Sequence, residues 1–303
     1  MSDHATAMVW ASLIGDALCL GPHWEYDPQA LADRFGPVTG YLDPPPGGYH
    51  AGKKAGEQTH YGDQTLVLLA SLAACGTFDL DDFAARWQAL FRDYRGYVDG
   101  ATRLTLRRFE AGAGPEDSGS NSNDLAGASR VAPLVFALAR DPQALDAAAL
   151  AQTRLTHNHA QVLEAAVFFT RTARLVLTGA SPREALLAAA GIGQPSDALA
   201  RWLEAGLGSA GMDTVTAIGA FGRSCHIHEA MPGVIHLLAR HEGNLAGCLR
   251  ENAMAGGDSA ARGMLCGMIL GAAQGMTAIP EDWRTGLAAG PAVAACLEKL
   301  AVA

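Results

Sequence analysis

Gly256-Gly257-Asp258-Ser259-Ala260-Ala261-Arg262 passes from a glycine pair directly into an apolar stretch of helical spacing, which reads as a helix over about 258 to 275. A carboxylate at a helix start can serve as a cap, contributing about 1 kcal/mol. The glycines point to a second use, because they strip side chains from beside Asp258 and open its backbone to a ligand or ion. The same arrangement recurs at Tyr61-Gly62-Asp63-Gln64-Thr65, after which a helix runs through Leu66 to about Cys75. Two carboxylates thus open two apolar helices.

Working outward, helical spacing of apolar residues covers most of the chain. Met8, Leu13 and Leu18 sit in an Ala-rich stretch ending near Cys19. Further helices are expected at about 80 to 94, 101 to 111, 144 to 152, 159 to 178, 182 to 190, 195 to 206, 213 to 220, 228 to 240, 244 to 254 and 291 to 301. No strand run or internal repeat emerges. Pro and Gly between Pro22 and Glu57, including Pro44-Pro45-Pro46-Gly47-Gly48, read as one long loop or lid, whose Lys53 and Lys54 could reach a phosphate. Gly112 to Asn123 reads as a second loop, with a helix starting near Asp124. Among 303 residues, 49% are hydrophobic but only 7% aromatic, so the core is built largely from Ala, Leu, Val and Gly, which suits closely approaching helices. No linker interrupts that pattern, and an all-α single domain over residues 1–303 is expected.

A formal net charge of -9 without any Lys/Arg cluster argues against a nucleic-acid partner. The opening Met-Ser-Asp-His-Ala-Thr-Ala lacks the basic start and apolar centre of a signal peptide, and no apolar run reaches membrane-spanning length. A cytoplasmic protein with no membrane partner is therefore expected. Its six cysteines lie far apart without CxxC spacing, as expected of reduced, buried thiols.

Side chains that do chemistry are sought where loops meet helix starts, since unpaired amides gather there. Ser118-Gly119-Ser120-Asn121-Ser122-Asn123-Asp124 offers Ser120, Ser122, Asn123 and Asp124 as a diphosphate cradle, a plain flexible linker being the alternative. Arg262 lies four residues after Asp258 on one helix face, where it can pair with Asp258 in place of a cation or form an ordinary surface pair. Cys225-His226-Ile227-His228-Glu229 is weak as a metal motif, because histidines two apart point to opposite faces of an extended chain. Trp24 and Tyr26 could stack on a base or cover a core edge.

The order of these motifs resembles the ADP-ribosylglycohydrolase family, which includes DraG-type and J-type crystallin members, over nearly the whole chain. Ser12-Leu13-Ile14-Gly15-Asp16-Ala17-Leu18 is similar to the family's Gly-Asp-Ala-Leu helix, and Tyr61-Gly62-Asp63-Gln64-Thr65 sits where the family reads Thr-Asp-Asp-Thr. Ala126 to Leu134 resembles its Gly-Ala-Ala-Met-Arg-x-x-Pro-Leu stretch, and Thr156-His157-Asn158 its Thr-His turn. Gly256 to Ala261, with Gly267, Gly271, Ile279-Pro280 and Trp283, is similar to its terminal Gly-Gly-Asp-Thr-Asp-Thr helix and tail.

The resemblance implies a multi-helix orthogonal bundle and a centre of two divalent ions, usually magnesium or manganese, holding a ribose beside an attacking water. The carry-over is partial. Asp63 and Asp258 match, but Gly62 replaces the Thr, Gln64 the second Asp, and Ala260 and Ala261 the second Asp-Thr pair. This implies at most one Mg2+ or Mn2+, on Asp63, Gln64 and Asp258, rather than the full pair. Glu25 lies near the position of a family glutamate and is the expected general base, acting with Asp63 and Asp258. Glu229 matches an acidic position of the family and, with His226 or His228, would orient a leaving group. Gly257, Ser259, Arg262 and His157 would join the 120–124 segment in holding the ligand. The expected activity is hydrolysis of a glycosidic bond in an ADP-ribosyl or related nucleotide-ribose compound, either a small molecule or an ADP-ribosylated substrate. The alternative is an inactive relative that binds a nucleotide metabolite or serves a structural role.

Overall fold

The computed structural model describes residues 3–302. In chain order the helices are α1 (Asp3–Cys19), α2 (Pro28–Phe35), α3 (His60–Cys75), α4 (Leu80–Arg92), α5 (Gly100–Glu110), α6 (Ala126–Ser129), α7 (Ala132–Leu138), α8 (Pro142–Arg154), α9 (Ala160–Leu177), α10 (Pro182–Ala190), α11 (Asp197–Gly208), α12 (Thr214–Phe221), α13 (Ile227–Arg240), α14 (Leu245–Met254), α15 (Ser259–Gln274), α16 (Glu281–Gly286) and α17 (Gly290–Val302). A 3-10 turn spans Met276–Ala278, and no strand occurs among the described residues. None of these helices is long and apolar enough to cross a membrane.

Small residues decide how the centre packs. Gly263, Gly267 and Gly271 recur every four residues on one face of α15 and meet Ala7, Ala11 and Gly15 of α1 backbone to backbone. A methyl group at Gly271 would lie 2.5 Å from the Ala7 carbonyl oxygen, and one at Gly263 would lie 2.6 Å from that of Gly15. Nearly every residue of α15 is buried, so this helix forms the axis around which the others lie. One apolar cluster runs from Ala5 to Leu300. A second, containing Cys19, Leu31, Tyr61, Ala126, Ala253 and Met264, draws together the starts of α3, α6 and α15 and the ends of α1 and α14.

Several elements differ from the sequence reading: α16 was not expected, the helix expected near Asp124 is divided into α6 and α7, and α2 and α3 depart as follows. Helix α2 lies inside the stretch read as loop: Asp27 caps it by accepting from the Gln29 amide, Pro28 opens it, and Gly36 ends it at φ 62°. Only Leu31 is buried on it, so it carries no apolar period to detect. Helix α3 begins at His60, with Thr59 as its cap, so residues 61–65 are its first turn instead of a loop before it. The approach to Gly62 is made by Asp16 and Gln58 of this chain, which leave no room even for a methyl group. Asp16 holds this start by accepting from the Thr59 amide at 2.7 Å and its hydroxyl at 2.6 Å. The helix expected near Asp124 begins at Ala126. All six thiols are free; Cys19, Cys248 and Cys266 are buried, but Cys75, at the end of α3, is exposed.

Candidate functional site

Asp258 occupies the cap position of α15 without capping it. Gly256 and Gly257, both left-handed at φ 74° and 68°, turn the chain so sharply that the carboxylate faces away from its own helix. The chain's own backbone fills the space beside them: the Gly257 amide donates to the Glu25 carbonyl (2.6 Å), and the Asp258 amide to the Arg223 carbonyl (2.8 Å). Oδ2 of Asp258 accepts from the Tyr61 hydroxyl at 3.0 Å and from the Trp24 indole at 3.2 Å. Oδ1 is buried and has no partner. Trp24 itself sits at φ 65°, a conformation costing about 1–3 kcal/mol in a bulky residue, and is held there by its amide bond to the Gly257 carbonyl and by Asp258.

Asp124 and Cys225 complete a group with Asp258 in which one ligand atom from each lies within 4.8 Å of the others. Short backbone bridges fix this geometry, Ser120 pairing with His157 and Asp124 with His226. The Leu125 amide donates to the Cys225 carbonyl and the Ile227 amide to that of Asn123. Asp124 accepts from the Ala126 amide at 2.9 Å, and the Cys225 thiol hydrogen-bonds the same carboxyl. Burial, followed by the neighbouring Asp258 charge, pushes the Asp124 carboxyl well above the usual range. Asp258 is also raised by burial, but hydrogen bonds from Trp24 and Tyr61 and the nearby Arg262 charge oppose the rise. Both shifts disfavour two negative charges side by side, and the bonds from Trp24 and Tyr61 with the Arg262 charge make Asp258 the member better suited to carry one. Burial and both carboxylates push the Cys225 thiol upward.

Beside this pair stands an uncharged aromatic wall. The Trp24 ring stacks on His50 (centroids 5.4 Å, 22°) and meets Tyr49 and Tyr97 edge-on at 4.9 and 4.8 Å. A cleft of about 310 Å³ is lined by His23, Trp24, Glu25, Arg34, Tyr49 and His50. Burial and two neighbouring histidines lower His50 to about 2, keeping it neutral. Asp99 stays ionised despite its burial because His60, 3.3 Å away, holds it low.

The expected hard-ion centre does not assemble. Asp63 is engaged by the Lys53 ammonium and by the Tyr94 hydroxyl at 2.5 Å. The Gln64 amide oxygen accepts from the Trp87 indole (2.8 Å) and Arg130 (2.7 Å), while its nitrogen donates to the His60 carbonyl (2.9 Å). Neither residue shares a partner with Asp258, and Ala260 and Ala261 have no ligand atoms, so Asp63, Gln64 and Asp258 do not come together around the one oxygen-bound ion expected of them.

Glu25 also diverges from Asp258. Its carboxylate turns to Arg34 (3.5 Å) and the Asp27 amide (3.2 Å), and the residue that reaches Asp258 is Trp24. Glu229 accepts from the Ser224 amide at 2.8 Å and packs over Gly222, closing a turn. His226 and His228 lie on the same side, rings stacked at 5.8 Å, because α13 begins between them; His226 bonds Asn123 at 2.7 Å. Ser120 donates to the Thr156 carbonyl and Ser122 accepts from the Asp124 amide, so this segment is stitched down and its hydroxyls are occupied. His157 is buried, bonded to the Thr156 hydroxyl and lowered to about 3 by burial and Arg130. Arg262 is fully buried and bonds Asn252 (3.1 Å) and the Gly256 carbonyl (2.6 Å), with no hydrogen bond to Asp258 and with Nη1 unpartnered. It forms neither a surface pair nor a direct ion pair with Asp258. The Ser259 hydroxyl is buried beside it without a partner. Sequence reasoning did not assign Trp24 and Tyr61 to Asp258, nor Cys225 to Asp124. The sequence signals for Cys225 were its place just before a helix start and its membership of the weak metal motif at 225–229.

Three comparisons bear on this arrangement. The family model described as ADP-ribosylglycohydrolase matches residues 1–303. ADP-ribosyl-[dinitrogen reductase] glycohydrolase of Rhodospirillum rubrum is 26% identical over 238 residues, which cover 77% of this chain and 74% of that protein. A solved structure described as an ADP-ribosylglycohydrolase-related protein complex aligns with a TM-score of 0.75 at 25% identity, covering 98% of this chain and 96% of the other.

Proposed function

The chain belongs to the ADP-ribosylglycohydrolase family, and on that premise we propose that it hydrolyses a glycosidic bond of an ADP-ribosyl or related nucleotide-ribose compound through the Asp124–Asp258 carboxyl pair. One observation carries the reading: a buried carboxylate oxygen, Asp258 Oδ1, has no partner and belongs to a side chain facing a second carboxyl. Two neighbouring carboxyl groups, both raised by burial but with hydrogen bonds and Arg262 opposing the rise at Asp258, suit acid–base work at a ribose carbon. Asp124, the protonated member, donates to the leaving group as its bond to C1′ breaks. Asp258, the ionised member, stabilises the developing positive charge on the ribose and takes a proton from the water whose oxygen bonds to C1′. The aromatic cleft beside Trp24 accepts one flat ring of the substrate, and movement of the indole uncovers Asp258. Glu25, Asp63 and Glu229 support this geometry from outside the reacting atoms.

The test follows release of free ADP-ribose from N-linked and O-linked ADP-ribosyl conjugates, with parallel calorimetric titration of ADP-ribose. Turnover is expected in the wild type, with or without a chelator, and a loss of at least about 100-fold in Asp258→Asn and Asp124→Asn. A second reading, binding without catalysis, is favoured by the closed position of Trp24 over Asp258. Calorimetric binding with no turnover would select it, and absence of both would remove the ADP-ribosyl ligand.

A further inference from the structure

Cys225 is given no role in the hydrolysis proposed above. It lies with Asp124 and Asp258 in a three-residue group drawn from three distant parts of the chain: the end of the 118–124 segment, the turn before α13 and the start of α15. We propose that Asp124, Cys225 and Asp258 form a binding site for one thiophilic divalent cation of the zinc type.

The donor set carries the choice of ion. Magnesium and manganese take oxygen donors in six-coordinate geometry, whereas a thiolate with two carboxylates suits a four-coordinate ion that accepts sulfur. Metal–sulfur and metal–oxygen bonds of roughly 2.3 and 2.1 Å place tetrahedral ligand atoms roughly 3.6 Å apart. The three donors lie within 4.8 Å of one another, so they close on an ion by shifts of about 1 Å. Asp258 is 1% exposed and its Oδ1 has no other partner, so this oxygen is already desolvated and available as a ligand. Its second oxygen is fixed by Tyr61 and Trp24, which orient the carboxylate as outer partners orient metal ligands. Three anionic ligands leave one net negative charge around a divalent ion, and the buried Arg262 guanidinium beside Asp258 offsets it. The fourth position remains for water.

This assignment rests on the geometry of the three residues and not on the hydrolase reading. An ion held there makes ligands of Asp124 and Asp258, so zinc is also expected to stop the hydrolysis proposed above. Failure of turnover would leave the metal assignment intact, because the decisive readout needs no substrate.

The test treats the full-length protein with a chelator, removes the chelator, and titrates cobalt(II) as a spectroscopic probe. One equivalent should bind, with a thiolate-to-cobalt charge-transfer band in the near ultraviolet and the intense visible bands of four-coordinate cobalt. Zinc should displace it stoichiometrically, while a hundredfold excess of magnesium should not. Cys225→Ser should lose the charge-transfer band, and Asp258→Asn and Asp124→Asn should weaken cobalt binding by at least tenfold. Circular dichroism melts of each variant establish that it is folded. No sulfur-to-cobalt band in the folded wild type would overturn the assignment. So would a band that survives in folded Cys225→Ser, which would place the ion at another thiol.

Discussion

Asp16 offers a quantitative test of how the helix starts are built. It is fully buried where α1 meets the first turn of α3, and burial raises its carboxyl from 3.8 to about 6 despite the bonds from Thr59. Between these two values the unfolded chain gives up its proton while the folded chain keeps it. The folded state therefore loses relative stability as pH rises through the window from about 4 to 6, and the loss levels off above it. A rise of roughly two pKa units corresponds to about 3 kcal/mol, without a discount for solvent because the group is not exposed. Asp16→Asn keeps the site neutral at every pH. It also turns an amide nitrogen toward donors, a pH-independent cost of about 1–3 kcal/mol. Urea unfolding of both proteins, followed by circular dichroism at pH 4 and pH 7, isolates the titration. The stability of the Asn variant relative to the wild type should improve by about 2.5 kcal/mol between the two pH values, because part of the change is already complete at pH 4. An unchanged difference would refute the assignment of the shift to Asp16.

Three other substitutions separate structural from chemical roles. Gly271→Ala presses a methyl group onto the Ala7 carbonyl and should destabilise by about 2 kcal/mol, whereas Gly208→Ala, which meets nothing within 4 Å at the end of α11, should stabilise by about 0.5 kcal/mol; melting temperatures moving in the same direction would contradict the packing argument. Gln64→Ala strands the Trp87 indole and Nη1 of the buried Arg130, whose other nitrogens keep Thr156 and Gln152, and should cost about 3 kcal/mol in a denaturant titration while leaving cobalt affinity of the folded protein within twofold. Glu25→Gln loses only a half-exposed pair with Arg34 and should change stability by less than about 1 kcal/mol and turnover by less than twofold; a large fall in turnover would restore Glu25 as the base.

Much of the fold was readable because its signals are local. The Ala- and Gly-rich spacing in α1 and α15 anticipates helices that touch backbone to backbone, and Gly263, Gly267 and Gly271 are the positions where they do so. Helix α2 escaped because the Pro and Gly between Pro22 and Glu57 read as loop, and its single buried residue Leu31 offers no apolar period against that reading. Its cap signals at Asp27, Pro28 and Gly36 were nevertheless present in the sequence, and reading caps before periods would have found it. The start of α3 was placed late because Gly62 was read as opening the backbone before Asp63 to a ligand or ion, whereas it lies in the first turn of α3 and admits Asp16 and Gln58.

The site was less readable because the direction of a side chain depends on partners far away in sequence. Asp63 and Gln64 stand next to each other in one helical turn, yet Lys53 and Tyr94 claim the first while Trp87 and Arg130 claim the second. Motif spacing contains none of those four residues. The residues at these positions are also consistent in charge. A carboxylate at position 64 would lie against the buried Arg130 guanidinium and pair with it, and the neutral Gln64 accepts from Arg130 and Trp87 without adding a charge. On α15, Ala260 and Ala261 supply no ligands and Arg262 brings a fixed positive charge close to Asp258, which repels a second divalent ion. The anionic groups left facing Asp258 come from elsewhere in the chain, at Asp124 and Cys225. The negative charge that faces Asp258 therefore comes from the 118–124 segment and the turn before α13, where the chemistry proposed for this chain has to be sought.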